Sequence, residues 1–598
     1  MMLHRVRLVG ADADSQHSML QALDVESPAI VAFSSYLWNH ALNLKLARTI
    51  KERFPSCIIM IGGPEIPKRE AQCEIFLRNN PFIDLCARGE GEITFAATID
   101  CFRAQHAGDI AMGDFSTIEG LMFLDAQGAL IKTPDRTRID DLDALPSAYL
   151  SGELDHLFQG DLNMPRMDSI PPFLAIETNR GCPYGCTFCD WGSATLEKIH
   201  KFSEERVYRE IEYAAHHKVP QLLVCDANFG IFERDVAFTQ FTADLKNSVG
   251  YPQAFWTNFA KNASPKLADI TRILNHSGLL KQGLIAIQST DPEVLKIIDR
   301  SNIKTAKYEK LLEIYHKEKL PIGSDLMIGL PGQTYESYIN DLQFFFDRKV
   351  ATNTFVTSSL TNAPISDPDY VEKYKIKTNE HGFITSTFSF TEADLHRMFD
   401  LNLAYEFLVK MGVLRYFLLY LQIDHKVPAI RFIDFWISQA KQHPEKYPKS
   451  AFAQKTMLNR SDAYIGVFVI TWSNDAKFFF HEIGDFYNEV LAMALEMTGK
   501  PLPADDALSI MQAQIAVMPK IGKKFPETIH VQHDVVAYFD QIRDLINIEK
   551  PEAPLLPLSS FPAADFTIPE QKSRRTLAFT NVMVRENAWE LQSPLRFF

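Results

Sequence analysis

The reading turns on one stretch, Asn179-Arg180-Gly181-Cys182-Pro183-Tyr184-Gly185-Cys186-Thr187-Phe188-Cys189-Asp190-Trp191-Gly192. Three of the chain's eight cysteines fall within eight consecutive residues here, spaced C-x3-C-x2-C as Cys182, Cys186 and Cys189. Three thiolates this close hold three irons of a 4Fe–4S cluster and leave the fourth iron open to a small molecule. Zinc is the competing use of clustered cysteines, but structural zinc takes four ligands, often as two pairs. No fourth cysteine or paired histidine stands nearby, and His200 lies eleven residues past Cys189.

The run directly follows an apolar strand candidate, Phe173–Thr178. Five more follow at Gln221–Ala227, Gln253–Phe259, Gln282–Ser289, Pro321–Leu330 and Thr352–Leu360. Helices fit between them. Ser203 ahead of Glu204 and Glu205 is a helix start, with a hydroxyl cap and acids on the positive end of the dipole. Val207, Ile211 and Ala214 then give its buried stripe. Six strand–helix units in a row predict a full or partial barrel with its chemistry at the strand carboxyl ends, and the cysteine loop sits at the first such end.

Upstream, the first hundred residues alternate strand and helix as well. Val6–Gly10, Ala29–Ser34, Cys57–Gly62 and Asp84–Arg88 are short strand-like runs, and Leu42, Leu46, Ile50 and Phe54 form a helical stripe. This pattern predicts an open parallel sheet, which binds ligands at the carboxyl ends of its strands. Those ends carry Ser34-Ser35-Tyr36-Leu37-Trp38-Asn39, Gly62-Gly63-Pro64-Glu65 and Gly89-Glu90-Gly91-Glu92. Glycines there let backbone approach a bulky ligand closely. Residues 105–170 read as a connector, turn-rich at Asp140–Pro146 and hinge-like at Pro165–Pro172. Beyond residue 370 the pattern is mainly helical: Leu395–Ile423 is apolar almost all round, and Phe479, Ile483, Phe486 and Val490 stripe a later helix.

Bulk properties narrow the function. At 598 residues the chain holds roughly two to four domains. A net charge of −14 argues against a nucleic-acid partner, which calls for a basic face. Cys57, Cys73, Cys86, Cys101 and Cys225 are scattered, and none follows Cys225, which excludes a secreted disulfide framework; they read as small buried residues. Met1-Met2-Leu3-His4-Arg5 opens straight into a strand-like run with no signal peptide. The most apolar stretch, Val413–Ile423, is too short to span a bilayer and is followed by Asp424. The expectation is a soluble, cytoplasmic protein. Trp191, Trp256, Tyr405 and Trp436 are candidates to line a substrate cavity, but read first as core aromatics.

The cysteine loop behind the first of six strand–helix units resembles the radical S-adenosylmethionine (SAM) superfamily. The preceding sheet, with Gly62-Gly63-Pro64 and Gly89-Glu90-Gly91-Glu92, resembles the cobalamin-binding module of its cobalamin-dependent class. The likeness covers residues 1–370. It implies a Rossmann-like or flavodoxin-like cobalamin-binding α/β domain over 1–110 and a partial (β/α)6 TIM-type barrel over 171–370, with the connector over 111–170 between them; the mainly helical region over 371–598, beyond the likeness, reads as a lid over the substrate.

By position, the resemblance makes Cys182, Cys186 and Cys189 the iron ligands, with SAM chelating the fourth iron. It places Phe188 near the adenine, and Gln288, Ser289 and Arg300 in contact with SAM. The loop Gly329-Leu330-Pro331-Gly332-Gln333 becomes the adenine-side loop, with Gln333 where relatives often carry Glu. Ser34, Ser35, Trp38, Gly62, Gly63, Pro64, Glu65, Gly89, Glu90, Gly91 and Glu92 fall to cobalamin. Two departures stand out. A Gly-Gly-Glu run common after the second strand is absent, leaving Asp226 and Asn228 as substitutes, and no D-x-H-x-x-G motif supplies a lower cobalt ligand.

The implied chemistry is reductive cleavage of SAM to a 5′-deoxyadenosyl radical, hydrogen abstraction from an unactivated carbon of a small-molecule substrate, and methyl transfer from cobalamin. An external donor such as flavodoxin or ferredoxin would supply electrons. The alternatives are a cyclase or ring-rearranging enzyme without methyl transfer, and a non-enzymatic cobalamin- or redox-responsive binding protein. A tRNA methylthiotransferase would need a cysteine-rich first domain and a nucleic-acid-binding tail, and the acidic balance speaks against both.

Overall fold

A computed structural model describes residues 13–26, 28–106, 114–155, 158, 173–191, 198–260, 265–280, 283–301, 304–318, 320, 322–410, 412–457, 483–517 and 526–568. The chain divides into two units. The first holds residues 1–260, 269–280 and 359–373; the second holds 261–268, 281–358 and 374–598.

The first unit opens on strands β1 (Ile30–Ser34), β2 (Ile58–Gly62) and β3 (Leu85–Ala87), which run parallel in that order. The central run Ile59-Met60-Ile61 is buried, as a strand covered on both faces requires. Leu46, Ala47 and Ile50 bury one face of the helix His40–Arg53. Lys51 near its end bonds the Asp84 carboxylate at 2.8 Å and the Cys57 carbonyl at 2.7 Å, tying helix to sheet. The strand expected over 6–10 lies outside the described residues.

The segment expected to be a connector does more than connect. Strands β4 (Leu121–Leu124) and β5 (Leu130–Lys132) form a hairpin that pairs antiparallel onto β3, giving the order β1-β2-β3-β4-β5. The turn is made by Asp125, whose carboxylate accepts from the backbone N–H groups of Gln127 and Ala129, and by Gly128 at φ +78°. Leu121 and Met122 are fully buried, so the hairpin belongs to the sheet's core. The hinge expected over 165–172 lies outside the described residues.

A second parallel sheet in this unit contains β6 (Phe173–Ile176), β9 (Gln221–Phe229) and β10 (Ala254–Phe259), with β9 in the middle. A two-stranded ribbon of β7 (Asn179–Arg180) and β8 (His200–Lys201) flanks the cysteine loop. The helix Glu204–His216 starts at Ser203, whose hydroxyl accepts from the Arg206 N–H, and buries Val207, Ile211 and Ala214.

In the second unit β11 (Gly283–Leu284), β12 (Ile322–Ile328) and β13 (Ala351–Val356) form a parallel sheet. The fourth strand candidate is cut short. It pairs over two residues and again at Gln288, where a left-handed φ of +70° breaks the extended run. The six strand candidates thus appear in order, with helices between them, as three strands in each unit. The rest of the second unit is mainly helical: Glu392–Tyr405, Arg415–His425, Ala429–Gln442, Ile483–Thr498 and Ala504–Val517 bury most of their apolar surface. Ile483, Phe486 and Val490 are buried as their spacing requires, while Phe479 lies outside the described residues. No helix among the described residues is long and apolar enough to cross a membrane. Tyr405 and Trp436 are core residues, but Trp191 and Trp256 are 39% and 51% exposed, against expectation.

Candidate functional site

The cysteine loop is set by the residues just before it. Asp226 on β9 is fully buried and accepts hydrogen bonds from the Thr178 N–H at 2.8 Å, the Asn179 N–H at 3.2 Å, the Asn179 side-chain amide at 2.6 Å and the Thr178 hydroxyl. Burial pushes its carboxyl up to about 7, against the lowering pull of those bonds. Asp226 therefore anchors the neck of the loop through Thr178 and Asn179.

Gly181 follows at φ +120°, and a Cβ there would lie 2.5 Å from the Lys198 carbonyl oxygen, so only glycine fits. Cys182 and Cys186 are buried, Cys189 is half-buried, and the Cys189 N–H closes a turn on the Cys186 carbonyl at 3.1 Å. Phe188 is half-buried between them.

Asn228, two residues beyond Asp226 on the same face of β9, donates from Nδ2 to the Cys182 sulfur at 3.3 Å. Its Oδ1 is buried and has no hydrogen-bond partner among the described residues. Among the described residues no three His, Cys, Asp or Glu converge as they would on one ion. Three thiolates on one short loop, one of them receiving an N–H, with an unsatisfied acceptor beside them, fit a cluster with an open iron rather than a mononuclear site.

A cleft of about 510 Å³ opens in the same unit at the carboxyl ends of β1, β2 and β3. Of the residues expected there, Ser34, Gly62, Gly63, Pro64, Gly89, Glu90, Gly91 and Glu92 line it. A Cβ at Gly89 or Gly91 would meet no atom within 4 Å, so these loops face open space. Gly63 (φ +100°) packs so tightly that a Cβ would sit 2.5 Å from the Ser35 carbonyl oxygen.

Three expected residues lie elsewhere. Ser35 is buried under the loop and bonds His40 Nδ1 at 2.7 Å. Trp38 is 81% exposed and stacks on Tyr36 at 4.8 Å. Glu65 accepts from the Thr361 hydroxyl at 2.9 Å.

The cleft also takes in Glu177, Asn179, Arg180, Gly181 and Trp191, so it runs from the glycine loops to the neck of the cysteine loop. Arg180 is the residue that sequence reading missed. Its guanidinium pairs with Glu92 at 2.7 Å, Glu177 at 2.8 Å and Glu90 at 3.5 Å. Burial alone would lower its pKa, but the charges of Glu177 and Glu92 outweigh this and raise it. The only sequence signal was its place two residues before Cys182; nothing marked a partner some ninety residues upstream.

In the second unit the expected SAM contacts are held by the protein itself. The Ser289 hydroxyl donates to Asp341 at 2.9 Å, and Asp341 is pushed up to about 6 by burial. Gln288 is half-buried beside it. Arg300 is 6% exposed and donates to the Ala286 carbonyl, so it is not a solvated helix-end charge. The loop from Gly329 (φ +92°) to Gly332 (φ +91°) is closed by Gln333, whose Oε1 accepts from the Gly329 N–H at 2.8 Å while its Nε2 donates to the Met327 carbonyl at 3.0 Å.

Residues 3–99 match the B12 binding domain and residues 176–345 the radical SAM superfamily. The chain is 34% identical over 356 residues to the cobalamin-dependent radical SAM methyltransferase TokK of Streptomyces tokunonensis, covering 59% of this chain and 50% of that protein. It is 33% identical over 359 residues to 2-(S-pantetheinyl)-carbapenam-3-carboxylate methyltransferase of Streptantibioticus cattleyicolor, covering 60% and 51%. The chain spans about half the length of these curated relatives. In fold it is similar to the apo form of the cobalamin-dependent S-adenosylmethionine radical enzyme OxsB, with a TM-score of 0.50 at 12% identity over 84% of this chain and 73% of that one. Both sequence matches fall where the glycine loops and the cysteine loop stand, and this chain carries a B12-binding domain followed by a radical SAM domain, the pairing that takes cobalamin, a 4Fe–4S cluster and SAM.

Proposed function

We propose that the chain is a cobalamin-dependent radical SAM methyltransferase that methylates an unactivated carbon of a small-molecule substrate, with electrons from an external donor such as flavodoxin or ferredoxin. One observation carries the reading: a single cleft is lined both by the glycine loops Gly62-Gly63 and Gly89-Glu90-Gly91 and by the neck of the cysteine loop, Asn179-Arg180-Gly181. When bound, the cluster supplies one-electron cleavage of SAM and cobalamin supplies methyl delivery.

In this reading the chain's own residues position and shield. Cys182, Cys186 and Cys189 hold the cluster. Asn228 steadies the Cys182 sulfur and leaves Oδ1 to accept a hydrogen bond from whatever donor arrives at the open iron. Asp226 fixes the neck from beneath, and Arg180 ties Glu92 and Glu177 together along the cleft wall, with Glu90 shared between Arg180 and Arg138. The open space at Gly89 and Gly91 lets the loop backbone approach a bulky cofactor closely, and these loops would hold cobalamin.

The test is anaerobic incubation of the reduced, cluster-reconstituted protein with SAM and cobalamin, reading 5′-deoxyadenosine, S-adenosylhomocysteine and methylated product. The name of the second relative makes 2-(S-pantetheinyl)-carbapenam-3-carboxylate the first compound to assay. Formation of both SAM products with a methylated compound supports the reading. Formation of 5′-deoxyadenosine with an altered but unmethylated product overturns methyl transfer, and full activity in Cys186→Ala overturns the cluster.

A further inference from the structure

We infer that residues 361–370 form a strap that sets the spacing between the glycine loop after β2 and the cysteine loop, with Asn362 as its positioning residue. The inference rests on the function proposed above. The strap belongs to the first unit, to which the chain returns at residues 359–373, and it lies beyond both matched domains.

Asn362 uses its whole side chain on one loop. Its Nδ2 donates to the Pro64 carbonyl at 2.7 Å and the Ile66 carbonyl at 2.9 Å, and its Oδ1 accepts from the Lys68 N–H at 2.9 Å. An amide has two donor hydrogens and one acceptor oxygen, so no shorter or acidic side chain can satisfy all three groups. Pro64, Ile66 and Lys68 all line the cleft. Their loop has no strand or helix of its own to satisfy its backbone, and the side chain does that work instead.

Neighbouring contacts reinforce this end of the strap. The Thr361 hydroxyl donates to Glu65 at 2.9 Å, and Arg69 donates to the Thr361 carbonyl at 3.0 Å and pairs with Asp367.

The other end grips the cysteine loop. The Ile365 N–H donates to the Thr187 carbonyl at 2.8 Å, and the Thr187 hydroxyl bonds the Tyr370 hydroxyl at 3.1 Å. Thr187 stands between Cys186 and Cys189. Ala363 and Ile365 are fully buried, so the strap is packed down between its two grips. One short segment therefore ties the wall of the cleft to the loop that carries the thiolates. Radical generation and methyl delivery must occur at a fixed separation, and a displacement of about 1 Å is enough to cost roughly a hundredfold in rate.

The experiment compares the full-length, cluster-reconstituted protein with Asn362→Ala, Asn362→Asp and Tyr370→Phe. Hydroxocobalamin binding is followed by visible absorption, the reduced cluster by electron paramagnetic resonance, and coupling by the ratio of methylated product to 5′-deoxyadenosine. Asn362→Ala is expected to weaken cobalamin binding about tenfold and lower the coupling ratio about tenfold or more, with cluster content unchanged. Asn362→Asp keeps the acceptor for Lys68 but turns a carboxylate oxygen onto the Pro64 and Ile66 carbonyls, and should be impaired at least as much as Ala. Tyr370→Phe should lower the ratio while leaving cobalamin affinity intact.

Wild-type affinity and coupling in Asn362→Ala would overturn the strap. So would a loss of cluster content in step with cobalamin affinity in Asn362→Asp, which marks a general loss of fold. If the unaltered protein neither binds cobalamin nor cleaves SAM, the underlying function fails instead, and the two failures are told apart by that control.

Discussion

Asn228 Nδ2 lies 3.3 Å from Cys182 Sγ and donates a hydrogen bond to it. On the function proposed, Cys182 is an iron ligand, and a donor aimed at its sulfur stabilises the extra negative charge of a reduced cluster, one of a protein's main controls over reduction potential. Asn228→Ala should assemble a full cluster whose midpoint potential is more negative than that of the wild type. A potentiometric titration followed by electron paramagnetic resonance reads this directly, and an unchanged or more positive potential refutes it.

Asp226 gives a pH signature. Its carboxyl is held up to about 7 by burial, against an ordinary 3.8, so the folded chain keeps a proton that the unfolded chain releases. The contribution to stability is full below about pH 4 and is lost as pH rises toward 7. The gap sets an upper bound of about 4 kcal/mol. Urea unfolding between pH 4 and 7 should show this slope in the wild type and a flatter one in Asp226→Asn. Equal slopes would remove Asp226 as its source.

Arg180 faces three carboxylates with a side chain only 18% exposed. Arg180→Met leaves Glu92 and Glu177 without their cation and should cost about 2 kcal/mol of stability. Adding Glu177→Gln should restore part of the loss. A double mutant no more stable than the single one would show that the charges are already screened by water.

Gly181→Ala places a methyl 2.5 Å from the Lys198 carbonyl at a φ of +120°. The loop must move, and iron content per chain should fall by half or more on reconstitution under conditions that load the wild type fully. Iron and sulfide analysis checks this, and wild-type loading would show that the neck is more pliant than its packing indicates.

Much of this site could be read from local sequence because its marks are local. Three cysteines in eight residues need no partner to be recognised, and the strands at 173, 221, 254 and 322 declare themselves by apolar runs. The hairpin at 121–132 escaped because its strands are three and four residues long and gain their burial only by pairing with β3. Asp226 was legible as a polar residue at a strand end, but its four donors at Thr178 and Asn179 lie forty-eight and forty-seven positions away in sequence, and no pattern announces them. Asn362, almost three hundred residues from the loop it serves, left no trace at all. Ser289 and Arg300 stand where a polar contact belongs, yet both are tied to the protein, because a buried hydroxyl or guanidinium takes the nearest acceptor.

The Gln333 amide has a consequence for how its loop responds to its surroundings. Gln333 receives from Gly329 and gives to Met327, closing a small ring across the turn. A carboxylate of the same length can only receive, so Glu at this position would break the ring or have to carry a proton. The exchange of acid for amide is thus not a weakened charge. It makes the turn self-wired: an amide does not titrate, so these two hydrogen bonds need no proton to be gained or lost.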